Sequence, residues 1–279
     1  MSIEIQKISK MKKIAWATDI HLDRLTERDY LEYKEYLQDL NPVCLIISGD
    51  IAEGEVVCRS LKDFNDSFDF PIYFVLGNHD FYFKGFAEVE ENVRSLVKES
   101  ENLNWLSETG IIRLNDETAL IGIEGWGDAG NGTLNLSEGS TRDVLSIADY
   151  KGLNRAEIGK LLQTKGEQYA RRLRPVLLEA VKNFQKVIFV THVPPFVEVC
   201  FDRSLRICGE FKLPFYTCKA IGDMLLDVMN ENPSCRMTVL CGHTHEKADI
   251  NILENLRVRV KESSYGSWWD ATLIDLDKL

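Results

Sequence analysis

The segment Val239-Leu-Cys-Gly-His-Thr-His-Glu246 places two histidines two residues apart, directly after a short apolar run. The chain has only five histidines among its 279 residues. Taken alone, such a turn is more often a solvated loop than a functional site. Its form is still informative. An apolar run that ends abruptly in polar residues recurs along the chain and decides the predicted fold.

Six runs of this kind have the length of buried strands. They are rich in Val, Ile and Phe, and they are apolar throughout, which favours strands covered on both faces. They cover residues 14–17, 43–47, 72–76, 119–123, 187–190 and 237–240. Helix-like segments cover residues 26–40, 55–65, 86–99, 155–184 and 217–230. Strands that alternate with helices predict an α/β architecture with much parallel pairing.

The C-terminal part of the chain has a different pattern. Residues 247–252 and 256–260 alternate apolar and polar side chains on either side of Glu254-Asn255, which is typical of a hairpin. Residues 271–274 form a further strand-like run. We therefore expect an antiparallel edge or a second sheet near the C-terminus.

Two interruptions stand out between the regular segments. Residues 127–140 are rich in Gly, Asn and Ser and indicate a long loop, a feature that is often functional in a compact domain. Pro175 lies inside the helical pattern of residues 155–184. A proline there predicts either a kink or the start of a second helix, because it removes a backbone donor.

The composition is that of a globular protein with an acidic surface. The formal net charge of −11 repels phosphate backbones, so nucleic acid is an unlikely partner. No apolar run approaches the ~20 residues of a membrane span, and the N-terminus lacks the apolar core of a signal peptide. The seven cysteines are scattered without a Cys-x-x-Cys pair, as expected for reduced thiols. These features predict a cytoplasmic protein with one domain over residues 1–279, of which residues 1–10 are a candidate flexible tail.

Five of the six strand-like runs end in residues that bind metal ions. In parallel α/β sheets, ligands bind outside the carboxyl ends of the strands. All five histidines belong to this set, and five unrelated structural histidines would rarely all fall at that end. The set comprises Asp19 and His21, Asp50, Asn78 with His79 and Asp80, His192, and His243 with His245.

The donor atoms of this set are imidazole nitrogen, carboxylate oxygen and amide oxygen. Such donors suit zinc, iron, manganese, cobalt or nickel, and they do not identify one of them. More than four protein ligands are too many for one catalytic ion that keeps an open position. The sequence therefore predicts two divalent or trivalent ions, with Asp50 as the candidate bridging carboxylate.

The order of these motifs resembles that of the calcineurin-like metallophosphoesterase superfamily. The chain has Asp-x-His at 19–21, Gly-Asp at 49–50, Gly-Asn-His-Asp at 77–80, a lone histidine at 192 and Gly-His-x-His at 242–245. Each motif alone is weak, whereas all five in this order are specific. The resemblance implies an α/β/β/α sandwich of two mixed β-sheets flanked by helices. The metal site is then at the carboxyl ends of the strands.

The resemblance also assigns roles to individual residues. One ion would be held by Asp19, His21, Asp50 and His245. The other would be held by Asp50, Asn78, His192 and His243. The matching histidine of the family acts on the leaving group or on a phosphoryl oxygen, which implies that role for His79. Asp80 would then orient the imidazole of His79.

The implied activity is hydrolysis of a phosphoester by a hydroxide that bridges the two ions. The forms Asp-Ile-His-Leu and Gly-Asn-His-Asp look more like the phosphodiesterase-type branches than the protein serine/threonine phosphatases. We therefore expect a small-molecule phosphodiester as the substrate. A phosphomonoesterase, a nuclease, a lipid-linked pyrophosphatase and a catalytically silent scaffold of the same fold are the alternatives.

Overall fold

The computed structural model describes residues 13–136, 142–268 and 270–278. One sheet of the described chain contains the strands β1 Lys13–Ala17, β2 Leu45–Ser48, β3 Ile72–Val75, β4 Leu103–Trp105 and β11 Thr272–Asp275. Its strand order is β11-β1-β2-β3-β4. Strands β1 to β4 pair in parallel, and β11 adds an antiparallel edge to β1.

The second sheet contains the strands β5 Ile112–Arg113, β6 Thr118–Gly122, β7 Lys186–Val190, β8 Arg236–Cys241, β9 Ala248–Leu253 and β10 Leu256–Val260. Its order is β5-β6-β7-β8-β10-β9. The four central strands β6, β7, β8 and β10 are parallel, and an antiparallel strand closes each edge. Both sheets are therefore mixed.

The two sheets pack face to face through one apolar layer. Side chains along a strand alternate between its two faces, so Ile14 and Trp16 enter this layer while Ala15 and Ala17 join the core beneath the helices. The layer between the sheets also contains Ile46, Val75, Leu120, Ile188, Val190 and Leu240, drawn from both sheets. Burial of each such side chain contributes roughly 1.5–3 kcal/mol.

Helices cover the outer faces. They are α1 Glu27–Leu40, α2 Glu55–Ser67, α3 Phe86–Lys98, α4 Leu106–Thr109, α5 Arg142–Ser146, α6 Arg155–Asn183, α7 Leu213–Tyr216 and α8 Lys219–Glu231. The longest, α6, starts with a capping box in which Asn154 and Glu157 satisfy each other's backbone donors. The result is an α/β/β/α sandwich, as the resemblance implied.

The predicted fold class is confirmed, and the predicted strands and helices agree with the structure to within two residues at each end. The C-terminal hairpin and the antiparallel edge strand are also confirmed. The prediction that Pro175 starts a second helix is wrong, because α6 continues through it. Residues 127–136 lack helix and strand apart from the last of them, while residues 1–10 and 137–140 lie outside the described chain. No helix in the described part of the chain is long and apolar enough to span a membrane.

Candidate metal centre

The predicted ligands meet at one end of the sandwich. Loops after β1, β2 and β3 carry one half of the set, and loops after β7 and β8 carry the other half. Because these five strands run parallel within their own sheets, their carboxyl ends deliver the loops to a common edge. The two sheets thus each supply part of the site.

The backbone at these ligands is unusual. Nine non-glycine residues of the described chain have a positive φ, and five of the nine are predicted ligands. Their φ values are 48° for Asp19, 39° for His21, 51° for Asp50, 71° for His243 and 61° for His245. Side chains disfavour this region at a cost of about 1–3 kcal/mol each, and such conformations cluster at functional sites.

The first ligand group consists of Asp19, His21, Asp50 and His245. One donor atom from each lies within 4.8 Å of the others. The Nε2 atom of His245 is 3.2 Å from Oδ1 of Asp19 and 3.4 Å from Nε2 of His21. Two imidazole nitrogens that face each other at this distance are both satisfied when a cation lies between them. This is the set that the resemblance assigned to one ion.

The second ligand group consists of Asp50, Asn78, His192 and His243. The Oδ1 atom of Asn78 is 3.0 Å from Nε2 of His192 and 2.9 Å from Nδ1 of His243. The Nε2 atom of His192 is also 3.3 Å from Oδ1 of Asp50. Separations of roughly 3.0–3.5 Å are those expected between ligands that share one ion at ~2.1 Å.

Asp50 connects the two groups. Its Oδ1 faces His192 at 3.3 Å, while its Oδ2 faces His21 at 3.8 Å. The backbone N–H of His79 donates to Oδ1 at 2.9 Å and helps to fix the carboxylate. One oxygen is therefore directed to each group, which is the arrangement that a bridging carboxylate requires.

Neighbouring groups fix the orientation of the second ligand group. Nδ1 of His192 lies 2.9 Å from the carbonyl of Ser48, and Nε2 of His243 lies 3.1 Å from the carbonyl of Phe215. A ring nitrogen that donates to a carbonyl leaves the other nitrogen as the ligand. The amide of Asn78 is fixed likewise, since its Nδ2 donates to Asp143 at 2.7 Å and its Oδ1 turns to the histidines.

The electrostatics agree with a cation site. Burial lowers the pKa of both His21 and His243 to about 4, so their lone pairs are available as ligands. Burial alone would raise the pKa of Asp50, but the surrounding histidines, His192 first, hold it well below its usual range. Burial likewise opposes ionisation of Asp19, yet His245 lowers its pKa to about 2. Two buried carboxylates thus stay charged.

The packing around the ligands leaves space only for glycine at three positions, one of which is Gly49 against the ring of His192. A Cβ on Gly77 would collide with Asp50, and a Cβ on Gly242 would collide with the carboxylate of Asp19 and the hydroxyl of Thr18. In the described chain, the buried Nδ1 of His21 has no hydrogen-bond partner while its Nε2 faces the group. The nitrogen and oxygen donor atoms, the short distances between the ligands and the orientation of His21 all fit a pair of metal ions.

His79 borders the first ligand group without belonging to it. Its Nε2 lies 3.9 Å from Oδ2 of Asp50 and 3.2 Å from the hydroxyl of Tyr265, and its Nδ1 lies 3.3 Å from Oε1 of Glu53. Glu53 is itself held by Arg24 and, at 3.2 Å, by Arg142. The ring therefore faces the metal centre from a position fixed at its other nitrogen.

The expected contact between Asp80 and His79 is not made, and Glu53 occupies that place. Asp80 instead accepts backbone N–H groups of Ile51, Ala52 and Gly77 at 2.7–2.9 Å. It is fully buried, and it ties the loop after β2 to the loop after β3. The physical reason is its position in a 3-10 turn, which directs the side chain into the protein while His79 faces the site.

A cavity of about 650 Å³ opens beside the ligands. Its lining includes His243, His245, Tyr216 and Tyr265, and a hairpin around Phe201–Ile207 contributes Asp202, Arg203 and Ser204. Trp126 and Asp128, at the start of the loop that follows β6, do not line this cavity. Trp126 packs on Phe81 and Phe86, and Asp128 accepts the N–H of Ala220 at the start of α8.

Three residues of the site escape prediction from the sequence. Glu53 follows Asp50 by three positions, and this spacing is the one local signal that could have revealed it. Asp143 and Tyr265 lie far from any motif, at 65 positions from Asn78 and 186 from His79. Only the fold brings them to the ligands.

Comparison with known proteins agrees with the fold. The sequence model of the calcineurin-like phosphoesterases matches residues 12–247. The phosphopantetheinyl hydrolase of Mycobacterium tuberculosis has a TM-score of 0.64 and 17% identity, over 91% of this chain and 89% of that chain. A dimetal phosphatase from Danio rerio has a TM-score of 0.56 and 12% identity, over 91% and 88%. A Thermus thermophilus protein has a TM-score of 0.57 and 14% identity, over 96% of both chains. No curated protein matches the chain.

Proposed function

This chain belongs to the calcineurin-like phosphoesterase family, and from that premise we propose that it hydrolyses a small-molecule phosphodiester at two metal ions. Membership makes it a hydrolase of phosphoester bonds that depends on metal. The observation that carries the proposal of two ions is the position of Asp50, with one carboxylate oxygen towards His192 and the other towards His21.

Each ion has a defined set of ligands in this proposal. The first ligand group would hold one ion and the second ligand group would hold the other. Asp50 belongs to both groups. The ions, when bound, supply positive charge for the phosphoryl oxygens and lower the pKa of bound water. The donor set accepts manganese, iron, zinc, nickel or cobalt.

His79 acts on the leaving group. Its Nε2 faces the centre 3.9 Å from Oδ2 of Asp50, while Glu53 holds Nδ1 and fixes the orientation of the ring. When the ester bond breaks, the electron pair stays on the departing oxygen, which takes the proton from Nε2. Asp80 supports this arrangement indirectly, since it fixes the backbone of the loops that carry Asp50 and His79.

The charges around the centre favour a diester over a monoester. A phosphate monoester carries about 1.5–2 negative charges near neutral pH, whereas a diester carries one. The guanidinium groups of Arg24 and Arg142 are both paired with Glu53, and Arg24 is also paired with Asp23, so two carboxylates balance two cations. In the cavity, Arg203 and Lys212 are balanced by Asp202 and Glu246. Apart from the ions themselves, the site has little unpaired positive charge that could stabilise the second negative charge of a monoester.

The cavity indicates the size of the substrate. Its volume of about 650 Å³ falls within the ~300–1,000 Å³ of pockets that take small molecules. Solved structures of similar fold include one named a phosphopantetheinyl hydrolase and one named a dimetal phosphatase. Phosphomonoesterase activity is therefore the second candidate, and it would fit the same ligand groups.

Hydrolysis of bis(p-nitrophenyl) phosphate and p-nitrophenyl phosphate, each with added manganese, tests the proposal. We expect a higher kcat/KM for the diester and no turnover of either ester by Asp50→Asn. A preference for the monoester would refute the diester assignment. Absence of turnover by a wild-type protein whose bound metal is demonstrated by mass spectrometry would refute the enzymatic function itself.

A further inference from the structure

Tyr265 reaches the candidate metal centre from the segment between β10 and β11, beyond the residues that the family model matches. Neighbouring Ser263 anchors this segment. Its backbone N–H donates to the carbonyl of His245 at 3.2 Å, and its hydroxyl donates to the carbonyl of Asp19 at 2.7 Å. These two hydrogen bonds tie the segment to two loops that carry candidate ligands. The position of Tyr265 is therefore fixed relative to those ligands.

The aromatic ring of Tyr265 lies against the first ligand group. Its centroid is 4.6 Å from the ring of His21 and 4.9 Å from the ring of His245. The guanidinium of Arg24 lies 5.0 Å from the same ring. Tyr265 is 45% exposed and lines the 650 Å³ cavity, so a substrate that enters the cavity meets this side chain.

The hydroxyl of Tyr265 lies 3.2 Å from Nε2 of His79. The two groups therefore lie side by side at the edge of the first ligand group, and the Tyr265 hydroxyl carries a hydrogen that it can donate to an oxygen placed between them. The Tyr265 hydroxyl and Nε2 of His79 can both donate to one oxygen at ordinary hydrogen-bond lengths of about 2.7–3.0 Å.

We propose that the Tyr265 hydroxyl is a second hydrogen-bond donor to the leaving-group oxygen, beside His79. The inference rests on the proposed function. As the P–O bond breaks, negative charge grows on the departing oxygen, and a donor fixed at that place stabilises the growing charge. The oxygen takes its proton from His79, and Tyr265 keeps its own.

Tyr265→Phe tests this role, because it removes the donor and retains the ring. Tyr73→Phe is the matched control, a partly buried tyrosine on β3. On diphenyl phosphate, whose leaving group is strongly basic, we expect kcat of Tyr265→Phe to fall roughly tenfold, as for the loss of one hydrogen bond. On bis(p-nitrophenyl) phosphate, whose leaving group needs little help, we expect less than a threefold loss. An equal loss on both esters would overturn the inference.

A measurement without turnover separates this inference from the proposed function. In metal-free protein labelled with 15N-histidine, the Nε2 resonance of His79 should shift in Tyr265→Phe and stay unchanged in Tyr73→Phe. The resonance is assigned from the spectrum of His79→Gln. An unchanged resonance in Tyr265→Phe shows that the contact is absent and overturns the inference while the hydrolase proposal stands. If wild-type protein with bound metal cleaves neither diester, the proposed function fails, and the role of Tyr265 fails with it.

Discussion

Nδ1 of His79 lies 3.3 Å from Oε1 of Glu53, a carboxylate only three positions after Asp50 in the chain. The loop after β2 therefore supplies both the proposed bridging ligand and the group that orients His79, the histidine proposed to act on the leaving group. Glu53→Gln should lower kcat by roughly 10–100-fold, as does the loss of a group that orients an imidazole, and should leave the metal content unchanged. The loss should be larger for diphenyl phosphate than for bis(p-nitrophenyl) phosphate.

Steady-state kinetics with metal analysis by mass spectrometry checks this prediction. Glu55→Gln is the control, since that carboxylate is exposed and pairs only with Lys84 among the described cations. Full activity of Glu53→Gln on diphenyl phosphate would show that Glu53 does not orient His79.

Asp143 should control the second ligand group through Asn78. In Asp143→Ala, the amide of Asn78 loses the acceptor that turns its oxygen towards His192 and His243. We expect the affinity for one of the two ions to fall roughly 10–100-fold, because groups behind the ligands have effects of that size. The ion of the first ligand group should be retained.

Metal titration followed by mass spectrometry measures this difference between the two groups. Asp116→Ala replaces an exposed aspartate and should bind both ions normally. Equal weakening of both ions in Asp143→Ala would contradict the assignment of Asn78 to one group.

Gly242→Ala should disable the first ligand group. The new Cβ would overlap the Asp19 carboxylate and the Thr18 hydroxyl, so one of them must move. Overpacking of this kind costs about 1–3 kcal/mol and should lower Tm as well as metal content. Gly209→Ala is the control, since a Cβ there meets no atom within 4 Å. Calorimetry and metal analysis compare the two variants, and normal metal binding by Gly242→Ala would disprove the close packing.

Removal of the ions should destabilise the fold. Five ligands have left-handed backbone conformations, and two buried carboxylates face the centre, so bound cations offset both costs. A free metal concentration of ~100 Kd stabilises the native state by about 2.7 kcal/mol. A chelator should therefore lower Tm by about 5–10 °C, and added manganese or zinc should restore it. In Asp50→Asn the chelator should have little effect, and a Tm equally sensitive to chelator in both proteins would argue against binding at Asp50.

The fold and most ligands could be predicted because both depend on local patterns. Strand β7 is a continuous apolar run, and His192 follows shortly after its end. The same stretch of sequence therefore predicts both the strand and the candidate ligand. The packing of two sheets into a sandwich, by contrast, came only from the resemblance, because the C-terminal pattern left open an antiparallel edge or a second sheet. The alternation of Ile14 and Trp16 with Ala15 and Ala17 on β1 gives no sign of which face meets a second sheet, because all four residues are apolar.

The residues that orient the ligands could not be predicted. The resemblance implied that Asp80 orients His79, yet the 3-10 turn at His79–Phe81 turns the two side chains to different partners. Asp143 and Tyr265 make contacts over 65 and 186 positions, and long-range contacts of this kind follow from topology rather than from spacing. Sequence motifs therefore predicted the candidate ligands but missed the hydrogen bonds that orient them.

The division of the ligands between the two sheets has a consequence for how the protein matures. An ion in the first ligand group would join Asp19 after β1 to His245 after β8, and these are separated by most of the chain. A nascent chain therefore cannot complete either ligand group until β8 has been made and docked. Metal binding should then occur only late in the assembly of the fold. Incomplete chains that lack β8 should have no functional ion, even where the first sheet has already formed.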